Sequence, residues 1–252
     1  MTAPNPSAKP DHKPRPWVDL LVSIIIPSLI LMKLSGDEHL GSVNALVIGL
    51  AFPLSWGLFE LIRYGKRNFI AVLGLISVGL TGGIGLLELD AGWLAIKEAA
   101  IPALIGLAVL VSTRTRYPLV RTLLYNPNVL DIDKIHRVLE ERNHVQEFEE
   151  RLQKSSYFFA GTFLFSSIMN YVLARWIVVS PSGTEAFNEE LGQMTLISYP
   201  MIAIPSMVMM MLIFYYLWRT IRRLTGYTLE DVMAAHLAEK EKKKSSESTS
   251  GK

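Results

Sequence analysis

Asp19, Glu60, Lys97, Glu98, Asn170 and Arg175 are polar side chains set inside apolar blocks of this sequence. An ionisable group in hydrocarbon costs a few kcal/mol, so each marks a candidate solute, ion or proton path unless its depth explains it. Position within the blocks explains most of them. Asp19 stands two residues into the first block, and Glu60 lies one turn from the end of the second, three residues before Arg63. Lys97 and Glu98 open the fourth block, and Arg175 lies a turn from the end of the fifth, within snorkelling reach of an interface. Asn170 alone falls mid-block, among Phe163, Phe165, Ile168 and Leu173. It is expected to face other helices and bond across them, at about 1 kcal/mol.

Other patterns carry less chemistry. His136, Glu140 and His144 follow at four-residue steps, which on one helix spreads three potential ligands along its length rather than around an ion. Gly79 and Gly83 form a small-xxx-small pair, which predicts close helix packing. These glycines follow no strand and precede no Lys-Ser or Lys-Thr pair, so they make no phosphate loop. With no cysteine and no paired-carboxylate, His-rich or nucleophile-base pattern, the sequence predicts no catalytic residue, metal or cofactor.

The elements that must position these residues are helices in a membrane. Half of the 252 residues are hydrophobic, only 19% are charged, and the mean hydropathy is +0.29. Six apolar stretches approach the 20 or so residues that a hydrocarbon core of about 30 Å demands: Trp17 to Leu34, Val43 to Ile62, Phe69 to Leu87, Ile96 to Val111, Tyr157 to Val179 and Leu196 to Trp218. The first follows a long polar leader and lacks a small-x-small cleavage site, so it reads as a span rather than a signal peptide. The predicted fold is an all-α six-span bundle.

Basic residues orient it. Counted along the chain, 22 of 25 fall on one side of the alternating spans, whereas the opposite connections carry Asp37, Glu38, Glu88, Asp90, Glu185, Glu189 and Glu190. Both termini are therefore expected in the cytoplasm. The net charge of +2, with no basic patch interleaved with aromatics, argues against a nucleic-acid partner. Residues 1–16 form a Pro-rich tail, 17–125 hold the first four spans, 126–154 an amphipathic helix, 155–218 the last two spans, and 219–252 a short helix and polar tail. In the insert Ile135, Val138 and Phe148 recur at helical spacing, a candidate docking face for a partner or for lipid. Thr228 with Asp231 predicts a capping box.

Several short runs, in order, resemble the intracellular septation protein A family of bacterial inner-membrane proteins. They are Asp19-Leu20-Leu21, Val43-Asn44-Ala45, the basic turn Arg63 to Arg67, Leu80-Thr81-Gly82-Gly83 and Ala95-Ile96-Lys97. Val111-Ser112, Tyr117-Pro118-Leu119-Val120-Arg121, Tyr157-Phe158-Phe159 and Asn170-Tyr171-Val172-Leu173-Ala174 continue the likeness. The family has a shorter connection between spans four and five and a Phe-Lys pair where Phe187-Asn188 stands here. The resemblance implies a multi-pass inner-membrane protein supporting septation and envelope integrity, without a reaction of its own. Its expected partners are membrane lipid, other inner-membrane or division proteins, and a second copy of the chain. The alternative expectation is a small-solute transporter or permease whose path uses Asn170, Arg175, Lys97 and Glu98.

Overall fold

The structure is a computed structural model that describes residues 20–64, 69–115, 121, 125, 130–228 and 231, the side chains of 60–64 and 69–71 excepted. Asp19 and the Glu60 side chain lie outside the described residues. The described residues are all-helical, with no strand. A π-helical turn, Leu21–Ile25, leads into α1 (Ile26–Lys33). Then come α2 (Gly41–Tyr64), α3 (Phe69–Leu86), α4 (Gly92–Ser112), α5 (Ile132–Glu141), α6 (Val145–Ile177) and α7 (Glu185–Ser198). A second π turn, Tyr199–Ala203, joins α7 to α8 (Ile204–Thr225). Among the described residues, four stretches are long and apolar enough to cross a membrane: Gly41–Phe59, Gly92–Ser112, Val145–Ile177 and Glu185–Thr225. Leu21–Lys33 and Val72–Leu86 are shorter apolar helices.

Both π turns end two residues before a proline, Pro27 and Pro205. A proline in a helix has no N–H to return to the carbonyl four residues back, and its ring clashes with that carbonyl. The turn widens instead, and Ile26 N bonds Leu21 O five residues back. The local sequences agree at four of five positions: Ile24-Ile25-Ile26-Pro27-Ser28 and Ile202-Ala203-Ile204-Pro205-Ser206.

The chain divides into two compact units. The first takes its described residues from Met1–Ile101 and Ser167–Ala203. Its core joins Leu31, Leu46, Ile84, Leu94, Phe187 and Leu191. Glu185, Glu189 and Glu190, expected in an outer loop, stand on helix α7, which Thr184 caps by accepting from Phe187 N at 3.1 Å. This helix packs on α1 and α2 because Phe187, Leu191 and Met194 repeat at helical spacing and are buried. Gly192 admits α1, since a Cβ there would stand 2.8 Å from Ser28 O.

The second unit takes its residues from Pro102–Ser166 and Ile204–Lys252. Its core joins Ile135, Leu139, Phe148 and Leu152 to Leu217, Ile221 and Leu224 of α8. Two expectations are corrected here. The insert is not one amphipathic helix: α5, capped by Asp131, ends at Glu141, and Asn143 takes a φ of 56°. Its second half is the opening of α6, which runs without interruption into the fifth apolar stretch. The proposed docking face is also not free. Ile135 and Phe148 are 0% and 2% exposed against the chain's own α8, and Val138 is half-buried. The apolar spacing that suggested a partner is satisfied internally. The predicted capping box is formed: Thr228 N and Oγ1 donate to Asp231 Oδ2 at 2.8 and 2.7 Å, and Asp231 N donates back to Thr228 Oγ1 at 3.4 Å. These bonds hold the Asp231 carboxyl below its usual range.

Candidate functional site

Lys97 is the centre of the polar site in the first unit. Asp90 starts α4, its Oδ1 accepting from Gly92 N at 2.7 Å. One and a half turns later Lys97 shares the inner face of that helix with the buried Leu94 and Ala95. Its side chain is 8% exposed. The ammonium donates to Thr81 Oγ1 at 2.7 Å, to Ser77 Oγ at 3.2 Å and to Ser77 O at 3.4 Å, all on α3. Glu98 Oε1 stands 2.6 Å away and carries the countercharge at 25% exposure. An ammonium has three hydrogens, and this arrangement occupies all of them. Thr81 Oγ1 in turn donates to the backbone carbonyl of Ser77 at 3.1 Å, which holds that hydroxyl in place.

The Lys97 ammonium spans one turn of α3, from Thr81 to Ser77. Lys97 lies five residues from the start of α4, and Ser77 lies nine from the end of α3. At 1.5 Å per residue that places Ser77 about 13 Å along the helix from its end. Lys97, expected at the opening of its block, is thus held by two hydroxyls of α3. The other predicted residues divide around it. Ser167 of α6 donates to Ala99 O at 2.9 Å, tying α6 to α4 beside the lysine. Asn170, one turn further along, is half-buried and already engaged. Arg175 is exposed, its Nη1 3.2 Å from where a Cβ on Gly92 would stand, and takes no part in the Lys97 cluster.

The glycine pair is also corrected. Among the described residues, nothing beyond the adjacent backbone of α3 itself lies within 4 Å of a Cβ built on Gly79 or Gly83. Within this chain the close approaches fall on Gly82, met by Leu50 Cδ1 at 3.1 Å, and on Gly85, met by Leu46. The face that α2 covers is the one a residue or two further round α3, at the two glycines that stand beside the pair in the sequence. His136 Nε2 reaches Glu140 at 3.2 Å, whereas His144 lies beyond the break and has its Nδ1 3.3 Å from Leu224 O. No group of three metal-ligand residues forms among the described residues.

A second polar cluster is absent from the sequence reading. Asn188 of α7 is fully buried and donates from Nδ2 to Ser42 O at 2.7 Å and to Ser35 Oγ at 3.1 Å. Its Oδ1 and the hydroxyl of Ser28 are buried without a hydrogen-bond partner among the described residues. The signal was Asn188 standing next to Phe187 in a helical repeat, hidden because the segment read as a loop. Comparison with known protein families, curated proteins and solved structures finds no match to this chain.

Proposed function

We propose that the chain is a non-enzymatic protein of the bacterial inner membrane that supports envelope integrity or septation through contacts with other membrane proteins. Counting the two shorter apolar helices as spans gives six, with both termini in the cytoplasm. The observation that supports a structural role is the saturation of Lys97: this charge, the one buried among the described residues, is bound by Thr81, Ser77 and Glu98 of the same chain. The process itself rests on the resemblance to the septation protein family. With Ile135 and Phe148 inside the core, contacts fall to the lipid-facing helices and the charged outer face of α5.

Cells lacking the protein are expected to show defective septation or a leaky envelope, and proximity labelling to recover membrane proteins of the division or envelope machinery. Normal septation together with an unchanged labelling profile would overturn the proposal. The alternative, a small-solute transporter, draws support from the two proline-linked π turns, since opened helices of this kind carry solute sites in transporters. Flux of a panel of small solutes into reconstituted vesicles, lost in Lys97→Met, would favour it.

A further inference from the structure

We propose that the groove between the end of α6 and α7 binds a phospholipid with a primary ammonium headgroup. The proposal rests on the membrane placement above. The groove encloses about 510 Å³ and is lined by Trp176 and Ile177 of α6 and by Glu189, Glu190, Gln193 and Ile197, among others, of α7.

Its chemistry changes with depth. Glu189, Gln193 and Ile197 follow at four-residue steps on one face of α7, so they stand about 6 Å apart along the helix. A carboxylate comes first, an amide second and a branched aliphatic third. An amine-headed phospholipid has the same order, from ammonium through phosphate and ester oxygens, to which the second N–H of the Gln193 amide can donate, to hydrocarbon. Trp176, 75% exposed, sets an aromatic face beside the carboxylates, where an ammonium gains both a cation–π contact and a countercharge.

The two glutamates have different duties. Glu190 is spent on the backbone, accepting from Val179 N at 2.9 Å, Ser180 N at 2.8 Å and Ser180 Oγ at 2.7 Å. It closes the α6–α7 connection and fixes the groove's rim. Glu189 is exposed, and its Oε1 accepts from Gln193 Nε2 at a long 3.4 Å. A carboxylate accepts about four hydrogen bonds, so Glu189 keeps capacity for an N–H donor. The surrounding charge selects the same ligand. Segments 33–41, 86–98 and 175–190 carry eight carboxylates against three basic side chains, one of which, Lys97, is bound to Glu98. That field attracts cations and repels anionic headgroups. A quaternary headgroup could use Trp176 but has no N–H for Glu189, so the primary ammonium is preferred.

The full chain is reconstituted in nanodiscs of phosphatidylcholine alone, with added phosphatidylethanolamine, or with added phosphatidylglycerol, and lipids retained after extraction are counted by native mass spectrometry. Retention of phosphatidylethanolamine over either competitor is expected, reduced about tenfold in Glu189→Gln, in line with loss of a charge-assisted bond. It is expected to fall in Trp176→Leu and to recover in part in Glu189→Asp. Equal retention of phosphatidylglycerol, or retention untouched by these variants, overturns the proposal. Displacement of the retained lipid by soluble ethanolamine at equal amine concentration would reassign the site to a free amine and overturn the lipid assignment. Incorporation into nanodiscs is scored separately. Failure to incorporate in any composition defeats the membrane placement, whereas incorporation without lipid preference defeats this inference alone.

Discussion

The Lys97 ammonium stands 2.7 Å from the Thr81 hydroxyl, on a neighbouring helix sixteen residues earlier in the chain. Removing one partner of a buried, charge-assisted bond costs more than the bond contributes, because the remaining groups lose their desolvated partner. Lys97→Met is therefore expected to destabilise the protein by about 2 to 3 kcal/mol. Adding Glu98→Gln should recover part of that loss, since it removes the carboxylate left behind. Unfolding midpoints in detergent or nanodiscs measure both. Additive losses in the double variant would show that the pair is not coupled.

Close helix approach is expected to depend on Gly192 rather than on Gly79 or Gly83. Gly192→Ala sets a methyl 2.8 Å from Ser28 O and 2.7 Å from Met32 Cγ, an overpacking worth about 1 to 3 kcal/mol. Gly79→Ala and Gly83→Ala enter open space and gain up to about 1 kcal/mol of helix propensity. Thermal melts of the three variants separate the Gly79–Gly83 face of α3 from the α1–α7 contact. A loss at Gly79 or Gly83 as large as at Gly192 would contradict the assignment.

The apolar faces of α5 and of the opening turns of α6 are predicted to act as core. Phe148→Ala should cost about 3 to 5 kcal/mol, as for other buried aromatics, and Ile135→Asp should abolish folding of that region. Val138→Asp, at a half-buried position, should be milder. Hydrogen exchange of α5 and of the last turns of α8 reports the outcome. Unchanged protection in Ile135→Asp would return this face to the role of a docking surface.

Alkaline pH probes the same core. Burial pushes the Tyr125 hydroxyl from 10.0 up to about 12, with the Arg121 guanidinium opposing the shift. The folded state thus holds the phenolic proton longer than the unfolded state. The stability it contributes is fully present below about pH 10 and is lost as pH rises toward 12. Wild-type unfolding midpoints should fall across that window, and Tyr125→Phe should flatten the fall. A parallel decline in both proteins would refute the coupling.

Much of the helical content was legible, because long apolar runs leave the backbone few options. The Thr228–Asp231 cap was legible for a similar reason: a hydroxyl and a carboxylate three residues apart have one local geometry that satisfies both. The break at Asn143 was readable in principle, since Arg142-Asn143-His144 is a polar gap and asparagine tolerates positive φ. It was masked by apolar residues whose spacing continues on both sides. The α7 helix was missed because glutamates outweighed the repeat of Phe187, Leu191 and Met194. The hydroxyls that hold Lys97 are not written in α4 at all. They belong to Ser77 and Thr81, which another helix brings alongside.

The length of α6 has a further consequence. Its 33 residues make a rod of about 50 Å, some 20 Å longer than a hydrocarbon core. In the proposed topology the end carrying Phe148 and Leu152 stands in water, while the end carrying Leu173 and Ala174 stands in lipid. Water drives the packing of the first end, and for the second, lipid tails are as good a solvent as leucine. One helix therefore answers to two solvents. Urea should melt its first turns as it would a small soluble domain, and leave the lipid-facing turns wound.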